Sequence, residues 1–188
     1  EYISDLQYCN YLIAPGRTVG PNVATPGATR RFVEAMERGM KLVTIDPRCS
    51  VEGSKGYRRI PIRPGTELAF ALSMIHTILY EIRKFDEWFV KNRTNGPYLI
   101  GPDGNYVRDP NSKKPLLWDP VDGKAKAFDD PSFKDYGLEG EVTVNGVRAK
   151  PAFQLIKERM KKYTPEWAEK ITSIAAETIR LTSREFVD

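Results

Sequence analysis

An α/β fold, organised as a Rossmann-like three-layer domain around a parallel sheet and carrying a β-hairpin-rich insertion and C-terminal helices, is predicted by three features of this chain. Apolar and amphipathic segments alternate through the first half. A strand, a loop, a helix and a second strand follow one another at the spacing of a βαβ unit. Between Asn95 and Lys150 the composition turns to Gly, Pro, Asp and Asn with short β-prone runs, and helical patterning then returns. The expected division is an α/β core over 1–94, a β-rich insertion over 95–150 and a helical remainder of the same domain over 151–188.

The first expected strand is Asn10 to Ala14, with Tyr11, Leu12 and Ile13, and it runs into Pro15-Gly16-Arg17-Thr18. A glycine there lets the backbone come close to a ligand. After a loop rich in Pro, Gly and Thr, Ala28 to Arg38 reads as a helix with Phe32, Ala35 and Met36 on one face and Gly39 at its C-terminal stop. Lys41 to Asp46 is the next strand, parallel to the first, and Arg59 to Ile62 is a third and shorter one. Thr66 has the chemistry of a helix N-cap, with Glu67 near the positive end of the helix dipole. The helix that follows, Leu68 to Tyr80, is apolar nearly all round and is expected to be buried between layers. It is too short and too polar at Ser73, His76 and Thr77 to span a bilayer, which takes about 20 apolar residues. Another helix is expected after Asp86 as cap, through Trp88, Phe89 and Val90.

In the insertion, Tyr98 to Ile100 and Tyr106 to Arg108 flank Pro102-Asp103-Gly104-Asn105. Val142 to Val144 faces Val147 to Ala149 across Asn145-Gly146, a strong two-residue hairpin signal. A third hairpin is expected from Leu116-Leu117-Trp118 and Lys124 to Phe128. Helices over Ala152 to Lys162, Pro165 to Lys170 after the cap Thr164, and Ala175 to Phe186 complete the pattern. The last of these reaches the final residues without a stop signal, so the natural polypeptide is expected to continue.

With 188 residues the chain has enough length for a real core in one domain. Its 29 basic and 25 acidic residues leave a net charge of +4. Arg17, Arg30, Arg31, Arg48, Arg58, Arg59 and Arg63 crowd the part of the chain that holds the polar loops, which suggests an anionic ligand such as a pyrophosphate. Nucleic acid is disfavoured, because these arginines are not interleaved with aromatics and no binding motif is present. Cys9 and Cys49 have no second cysteine at iron–sulfur or zinc spacing and read as packing or loop residues, and no metal site is expected. His76, the single histidine, sits in an apolar helix and reads as a core residue.

The chemistry concentrates at two points. A carboxylate at the end of a parallel strand, Asp46, has the geometry to accept both hydroxyls of a ribose. A carboxylate at the mouth of a helix, Glu67, can accept the ring N–H and the amino group of guanine together, a pair that adenine does not offer. Arg48 and Arg63, with backbone N–H groups around Gly16 and Gly65, would hold phosphates. Singly, Asp46-Pro47 is an ordinary turn initiator and Thr66-Glu67 an ordinary cap; their joint occurrence in one βαβ context favours a ligand site. No G-x-G-x-x-G follows the first strand, which argues against a nicotinamide-binding domain, and no Walker lysine marks a free-standing nucleotide-binding module.

Val43-Thr44-Ile45-Asp46-Pro47-Arg48, Ile60-Pro61-Ile62-Arg63-Pro64-Gly65-Thr66-Glu67, and Thr164-Pro165-Glu166-Trp167-Ala168 through Arg184-Glu185-Phe186 resemble the large catalytic subunit of molybdopterin oxidoreductases of the dimethyl sulfoxide reductase family. The resemblance covers most of the chain and is weakest from Pro97 to Lys150. It implies a fragment of a longer oxidoreductase polypeptide whose molybdenum or tungsten is held by two molybdopterin guanine dinucleotides, with the guanosine end of one of them gripped here. By motif, Gly16, Arg17 and Thr18 correspond to the first loop; Ile45, Asp46, Pro47, Arg48 and Cys49 to the second; and Gly65, Thr66 and Glu67, with Arg63 just before them, to the third. Thr18 stands where the family usually has asparagine, and Glu67 where it most often has aspartate. The metal ligand and an iron–sulfur cluster are implied upstream, so no residue here is assigned to the chemical step. For the parent enzyme the resemblance implies a small redox substrate, a membrane-anchor subunit, an iron–sulfur electron-transfer subunit, and a periplasmic or membrane-associated setting. The alternative is a non-catalytic scaffold or electron-transfer relative of a respiratory complex.

Overall fold

In the computed structural model, which describes residues 5–16 and 27–188, three strands run parallel in the order β1 (Tyr11–Pro15), β2 (Lys41–Ile45), β3 (Arg58–Ile60). Between them come α1 (Ala28–Glu37) and α2 (Val51–Lys55), and after them α3 (Glu67–His76), which passes directly into a π-helical segment, Thr77–Ile82. Then follow α4 (Glu87–Arg93), five short strands β4 (Leu99–Ile100), β5 (Leu116–Asp119), β6 (Lys124–Ala127), β7 (Val142–Val144) and β8 (Val147–Pro151), and the helices α5 (Ala152–Met160), α6 (Pro165–Thr172) and α7 (Ala176–Val187). The chain divides into two compact units, 1–83 with 162–188, and 84–161.

In the first unit the register pairs Ile13 with Val43 and Ile45 with Ile60, so the strands end level with one another. Because successive side chains on a strand face opposite ways, β1 and β2 each supply both cores. Val43, Ile45 and Ile60 pack with Phe70 and Met74 of α3, Ala168 of α6 and Ile179 of α7. Leu42 and Ala14 pack on the other face with Phe32 and Ala35 of α1. Adjacent Arg58 and Arg59 are likewise sent to opposite faces.

The expected α1 forms, with Phe32 and Ala35 buried and Gly39 at φ +105° just beyond its end. The sequence reading misses α2, a five-residue turn held by its own cap: the Gly53 N–H donates to Ser50 Oγ at 3.1 Å. The expectation that α3 is buried all round is corrected. Ala69, Phe70, Ser73, Met74 and His76 are buried, but Leu68 is 71% exposed and Ile75 is exposed too. Only one face of α3 meets the sheet and the C-terminal helices. His76 is in the core, as its apolar helix suggests, with its ring stacked 5.1 Å from that of Tyr80.

At the N-terminal ends of the strands, Glu185 of α7 joins three partners. Arg58 donates to its two oxygens from Nη1 and Nη2 at 2.9 and 3.1 Å, and the Tyr11 and Tyr57 hydroxyls donate at 2.9 Å each. Burial would raise the Glu185 pKa, but these donors outweigh it and hold the carboxyl below its usual range. Burial, then the Glu185 contact, pushes the Tyr11 phenol up.

The second unit is built from antiparallel pairs. The Asn145-Gly146 hairpin forms as the sequence predicts, with both residues at positive φ, 53° and 77°, the requirement of a type I′ turn. The β5–β6 hairpin also forms. The expected hairpin of Tyr98–Ile100 with Tyr106–Arg108 is only partly realised. Ile100 and Tyr106 form one bridge, but the main partner of β4 is β8, with Leu99 opposite Pro151. Leu99, Leu116, Val144 and Ala149 make the core of this unit. The composition boundaries at 94 and 150 differ from the boundaries of compactness because both flanking helices pack on the β-rich segment. Lys91 of α4 bonds Asp135 at 2.9 Å, and at the start of α5 the Phe153 N–H donates to the Gly96 carbonyl at 2.9 Å.

Asp119 anchors this unit. Its fully buried carboxylate accepts from Lys126 Nζ at 2.8 Å and from the backbone N–H groups of Lys134 and Val121 at 3.0 Å. Burial alone would raise its pKa; Lys126 and the backbone donors hold it well below the usual carboxylate range.

Both carboxylate clusters lend themselves to measurement. Replacing Glu185 by alanine strands the half-buried Arg58 charge and is expected to cost roughly 2 kcal/mol, read as a lower urea midpoint. For Asp119 the folded pKa lies below the unfolded value of about 3.9, so its contribution is complete above about pH 5 and is lost as the pH falls through the acid range. Urea midpoints should therefore drop between about pH 5 and pH 2. Asp119→Asn should be less stable than the wild type at neutral pH and show a shallower acid decline; an unchanged slope would refute the assignment.

Candidate functional site

The carboxyl ends of the three parallel strands carry the three loops. Gly16, immediately after β1, donates its N–H to the carbonyl of Ile45 at 2.8 Å, and Asp46, immediately after β2, donates its N–H to the carbonyl of Ile60 at 3.2 Å. The third loop leaves β3 through Pro61 and buried Ile62, and the Arg63 N–H donates to the Thr172 carbonyl at 3.0 Å, which ties this loop to the end of α6. A Cβ built on Gly16 would stand 3.6 Å from Glu67 Oε1, so the first and third loops adjoin. Gly16, Asp46 and Glu67 are thereby collected at one end of the sheet, where ligands of parallel α/β sheets bind.

Asp46 is held in an Asx-type turn: the Arg48 N–H donates to Asp46 Oδ1 at 2.7 Å, and Arg48 Nε lies 3.8 Å from the same oxygen. Its side chain keeps 14% of its surface in solvent, and among the described residues nothing engages Oδ2. The turn-initiating role and the open carboxylate oxygen coexist in one residue. Glu67 is half-buried in the first turn of α3, and among the described residues its carboxylate makes no hydrogen bond or ion pair. An acceptor left open in that position is what a donor-rich ligand requires.

Thr66 occupies the cap position but does not cap. Its hydroxyl donates backward to the Arg63 carbonyl at 2.7 Å, which closes the Arg63-Pro64-Gly65-Thr66 turn and leaves the first N–H groups of α3 without a side-chain acceptor. Gly65 sits at φ +78°, and a Cβ there would meet nothing within 4 Å. Glycine is required at this position by the backbone angle and not by crowding.

The other expected site residues divide clearly. Pro47, Arg48 and Cys49 are exposed on the second loop, and both cysteines are free thiols. The Ile45 side chain is fully buried in the core, so only its backbone faces the loops. Arg63 is exposed, with Nη2 3.2 Å from Ser173 Oγ. Arg17 and Thr18 lie outside the described residues. The Gly16 N–H is already engaged by Ile45. Of the arginines crowded in sequence, Arg58 leaves the group and points to Glu185 at the opposite end of the strands, while Arg30 pairs with Glu34 along α1. Arg48 lies on the second loop, Arg59 reaches that loop and Arg63 opens the third, while Arg30 and Arg31 stand in the first turn of α1. Arg59, which no motif singles out, reaches back from β3 to donate to the Pro47 carbonyl at 3.1 Å and the Arg48 carbonyl at 3.3 Å. Its only signal in the sequence is its place beside Arg58, where strand alternation must send one of the two away from α7.

Among the described residues no group of three or more His, Cys, Asp or Glu could hold a metal ion, and no helix is long and apolar enough to cross a membrane. What the site offers is two open carboxylate acceptors beside exposed guanidinium groups. Acceptors and cations so placed fit a ligand with O–H and N–H donors at one end and an anionic group beyond them.

No family model matches the chain. It is 34% identical over 170 residues to a sulfite dehydrogenase polypeptide of Allochromatium vinosum, covering 81% of this chain and 17% of that protein. It is 30% identical over 183 residues to the arsenate respiratory reductase molybdopterin-containing subunit of Chrysiogenes arsenatis, covering 97% of this chain and 18% of that one. Among solved structures, acetylene hydratase from Pelobacter acetylenicus shares the fold, with a TM-score of 0.55 at 21% identity over 96% of this chain and 17% of that one. Parallel sheet, three-loop end and relatives together define a segment of the molybdopterin oxidoreductase catalytic-subunit class. The chain belongs to the dimethyl sulfoxide reductase family of that class and spans about a sixth of the length of these relatives.

The third loop yields a direct test. Gly65→Ala should lower stability by about 1–2 kcal/mol through its positive φ alone, and Gly65→Asn by less, since asparagine tolerates the left-handed region. Thermal unfolding of the two variants decides it, and equal losses would point to crowding instead.

Proposed function

We propose that this chain is the part of a molybdenum or tungsten oxidoreductase catalytic subunit that anchors the guanosine end of one molybdopterin guanine dinucleotide. The observation that carries this reading is the pair of open carboxylates, Asp46 and Glu67, at the same end of one parallel sheet. Asp46 would accept the ribose hydroxyls through Oδ2 while Oδ1 stays bound to the Arg48 N–H. Glu67 would accept the guanine ring N–H and amino group, and its lack of a competing partner among the described residues supports that role. Arg48 and Arg63, both exposed, would neutralise the diphosphate. Gly16 and Gly65 would bring backbone close to the ligand, and Pro47, Cys49, Thr66, Arg17 and Thr18 would complete the walls of the site, with Ile45 supporting it from below.

The bound cofactor supplies two-electron redox chemistry at its metal; this chain supplies binding and orientation. In this reading the Rossmann-like, three-layer cofactor-binding core lies within 1–94 and is completed by α6 and α7, with the β-rich 95–150 as its insertion. The relatives named for sulfite and arsenate support a small inorganic oxyanion as substrate of the whole enzyme. An iron–sulfur cluster upstream, a membrane anchor and an iron–sulfur electron-transfer subunit complete the proposed parent complex.

In the full-length subunit, elemental analysis should find molybdenum or tungsten, with GMP released by acid hydrolysis in about twofold excess over the metal. Asp46→Ala and Glu67→Ala should each lower cofactor occupancy, and the double variant should lower it further. Full occupancy in the double variant refutes the anchoring role. Absence of both metal and GMP from the native subunit would favour the scaffold alternative.

A further inference from the structure

Arg59 is placed where it controls the loop that presents Asp46. Its stem leaves β3 on the face opposite Arg58 and passes α2 at Gly53: a Cβ on Gly53 would lie 3.5 Å from Arg59 Cδ and 3.3 Å from Thr44 Oγ1. The smallest residue therefore stands where the arginine crosses. Beyond it the guanidinium meets the second loop from below, with Nη2 donating to the Pro47 carbonyl at 3.1 Å and Nε to the Arg48 carbonyl at 3.3 Å. Residue 48 is thus held on both sides, since its own N–H donates to Asp46 Oδ1 at 2.7 Å.

We propose that Arg59 is a positioning residue for the cofactor grip. Its fork fixes the Pro47 and Arg48 carbonyls and, through the Arg48 N–H, holds Asp46 with one carboxylate oxygen occupied and the other open to the ligand. The planar guanidinium suits the task, because it reaches the two neighbouring carbonyls from two nitrogens at fixed spacing, whereas an ammonium offers its donors from one freely rotating nitrogen. The loop is otherwise weakly held. Its residues Pro47, Arg48 and Cys49 are exposed, and the Arg48 side chain, 81% exposed, lies 3.8 Å from Asp46 Oδ1. Without Arg59 the loop keeps the Asx turn and the bond from the Asp46 N–H to the Ile60 carbonyl, but Pro47 and Arg48 lose their tie to β3, and the carboxylate samples orientations that do not meet the ligand. This inference rests on reading Asp46 as a ligand acceptor and adds a residue that touches no ligand.

The test uses the full-length cofactor-loaded subunit with Arg59→Ala, Arg59→Lys, Asp46→Ala and Glu67→Ala, alone and in pairs. Two quantities are measured: GMP retained per chain after extended dilution, and the urea midpoint. Arg59→Ala should speed cofactor loss by about tenfold, the scale typical of outer partners that orient a ligating group, and Arg59→Lys should recover only part of it. Because Arg59 acts through Asp46, the Arg59→Ala, Asp46→Ala pair should lose cofactor hardly faster than Asp46→Ala alone, whereas the effects of Arg59→Ala and Glu67→Ala should multiply. Multiplying effects in the Asp46 pair, or a lowered urea midpoint with unchanged cofactor retention, would overturn the proposal and leave Arg59 a stabilising residue only. Should Arg59→Ala fail to fold, the same comparison is made with Arg59→Lys. Unchanged retention in Asp46→Ala and Glu67→Ala would refute the anchoring role and this proposal together, while unchanged retention in the Arg59 variants alone refutes only the latter.

Discussion

The register of the parallel sheet is the constraint on which the site depends. Two backbone hydrogen bonds, from Gly16 to Ile45 and from Asp46 to Ile60, lie at the point where the strands stop, and they bring three loops separated by tens of residues to one edge. A parallel sheet needs a crossover between neighbouring strands, so every strand must end on the same side and every following loop must start there. A slip of one residue would turn Val43 and Ile45 away from α3 and α7 and carry Asp46 out of line with Gly16. The burial of those side chains therefore secures the register, and the register secures the site.

Charge is divided between the two ends of this sheet. At the N-terminal ends Glu185 is saturated by Arg58, Tyr11 and Tyr57, and there the carboxylate serves stability. At the C-terminal ends Asp46 has one oxygen in use, and among the described residues Glu67 has none. Carboxylates of the same kind thus do opposite work according to whether the fold supplies them with donors. Asp119 in the second unit follows the first pattern, with Lys126 and backbone N–H groups filling its acceptor sites. An unfilled acceptor at a loop-bearing end is therefore a stronger pointer to a ligand than an acidic residue as such.

Much of this is legible in the residue order. Local signals act over a few residues, and where they are sufficient the structure agrees with them: the Asn145-Gly146 turn, the Thr164 and Asp86 caps, α1 with its terminal glycine, and the strands before Gly16 and Asp46. Most of the expectations that fail concern partners remote in sequence, the Thr66 cap being a local exception. The preference of β4 for β8 over the segment next to it, the exposure of Leu68 and Ile75 on an apolar helix, and the turning of Arg58 away from the loops depend on which distant surface each residue meets. Threonine at position 66 suits a cap, yet in the folded turn its hydroxyl is taken by the carbonyl of Arg63.

The sequence by itself determined the α/β class, the strand–loop–helix order, the family and the identity of the two acidic residues, because hydrophobic period, turn chemistry and motif are properties of neighbours along the chain. Only the tertiary structure decided that Gly16, Asp46 and Glu67 share one edge, that Arg58 and Arg59 part company, and that Arg59 closes on the Asp46 loop. Those facts follow from strand pairing and from the alternation of side chains across a sheet, which act between segments the chain has to fold to bring together.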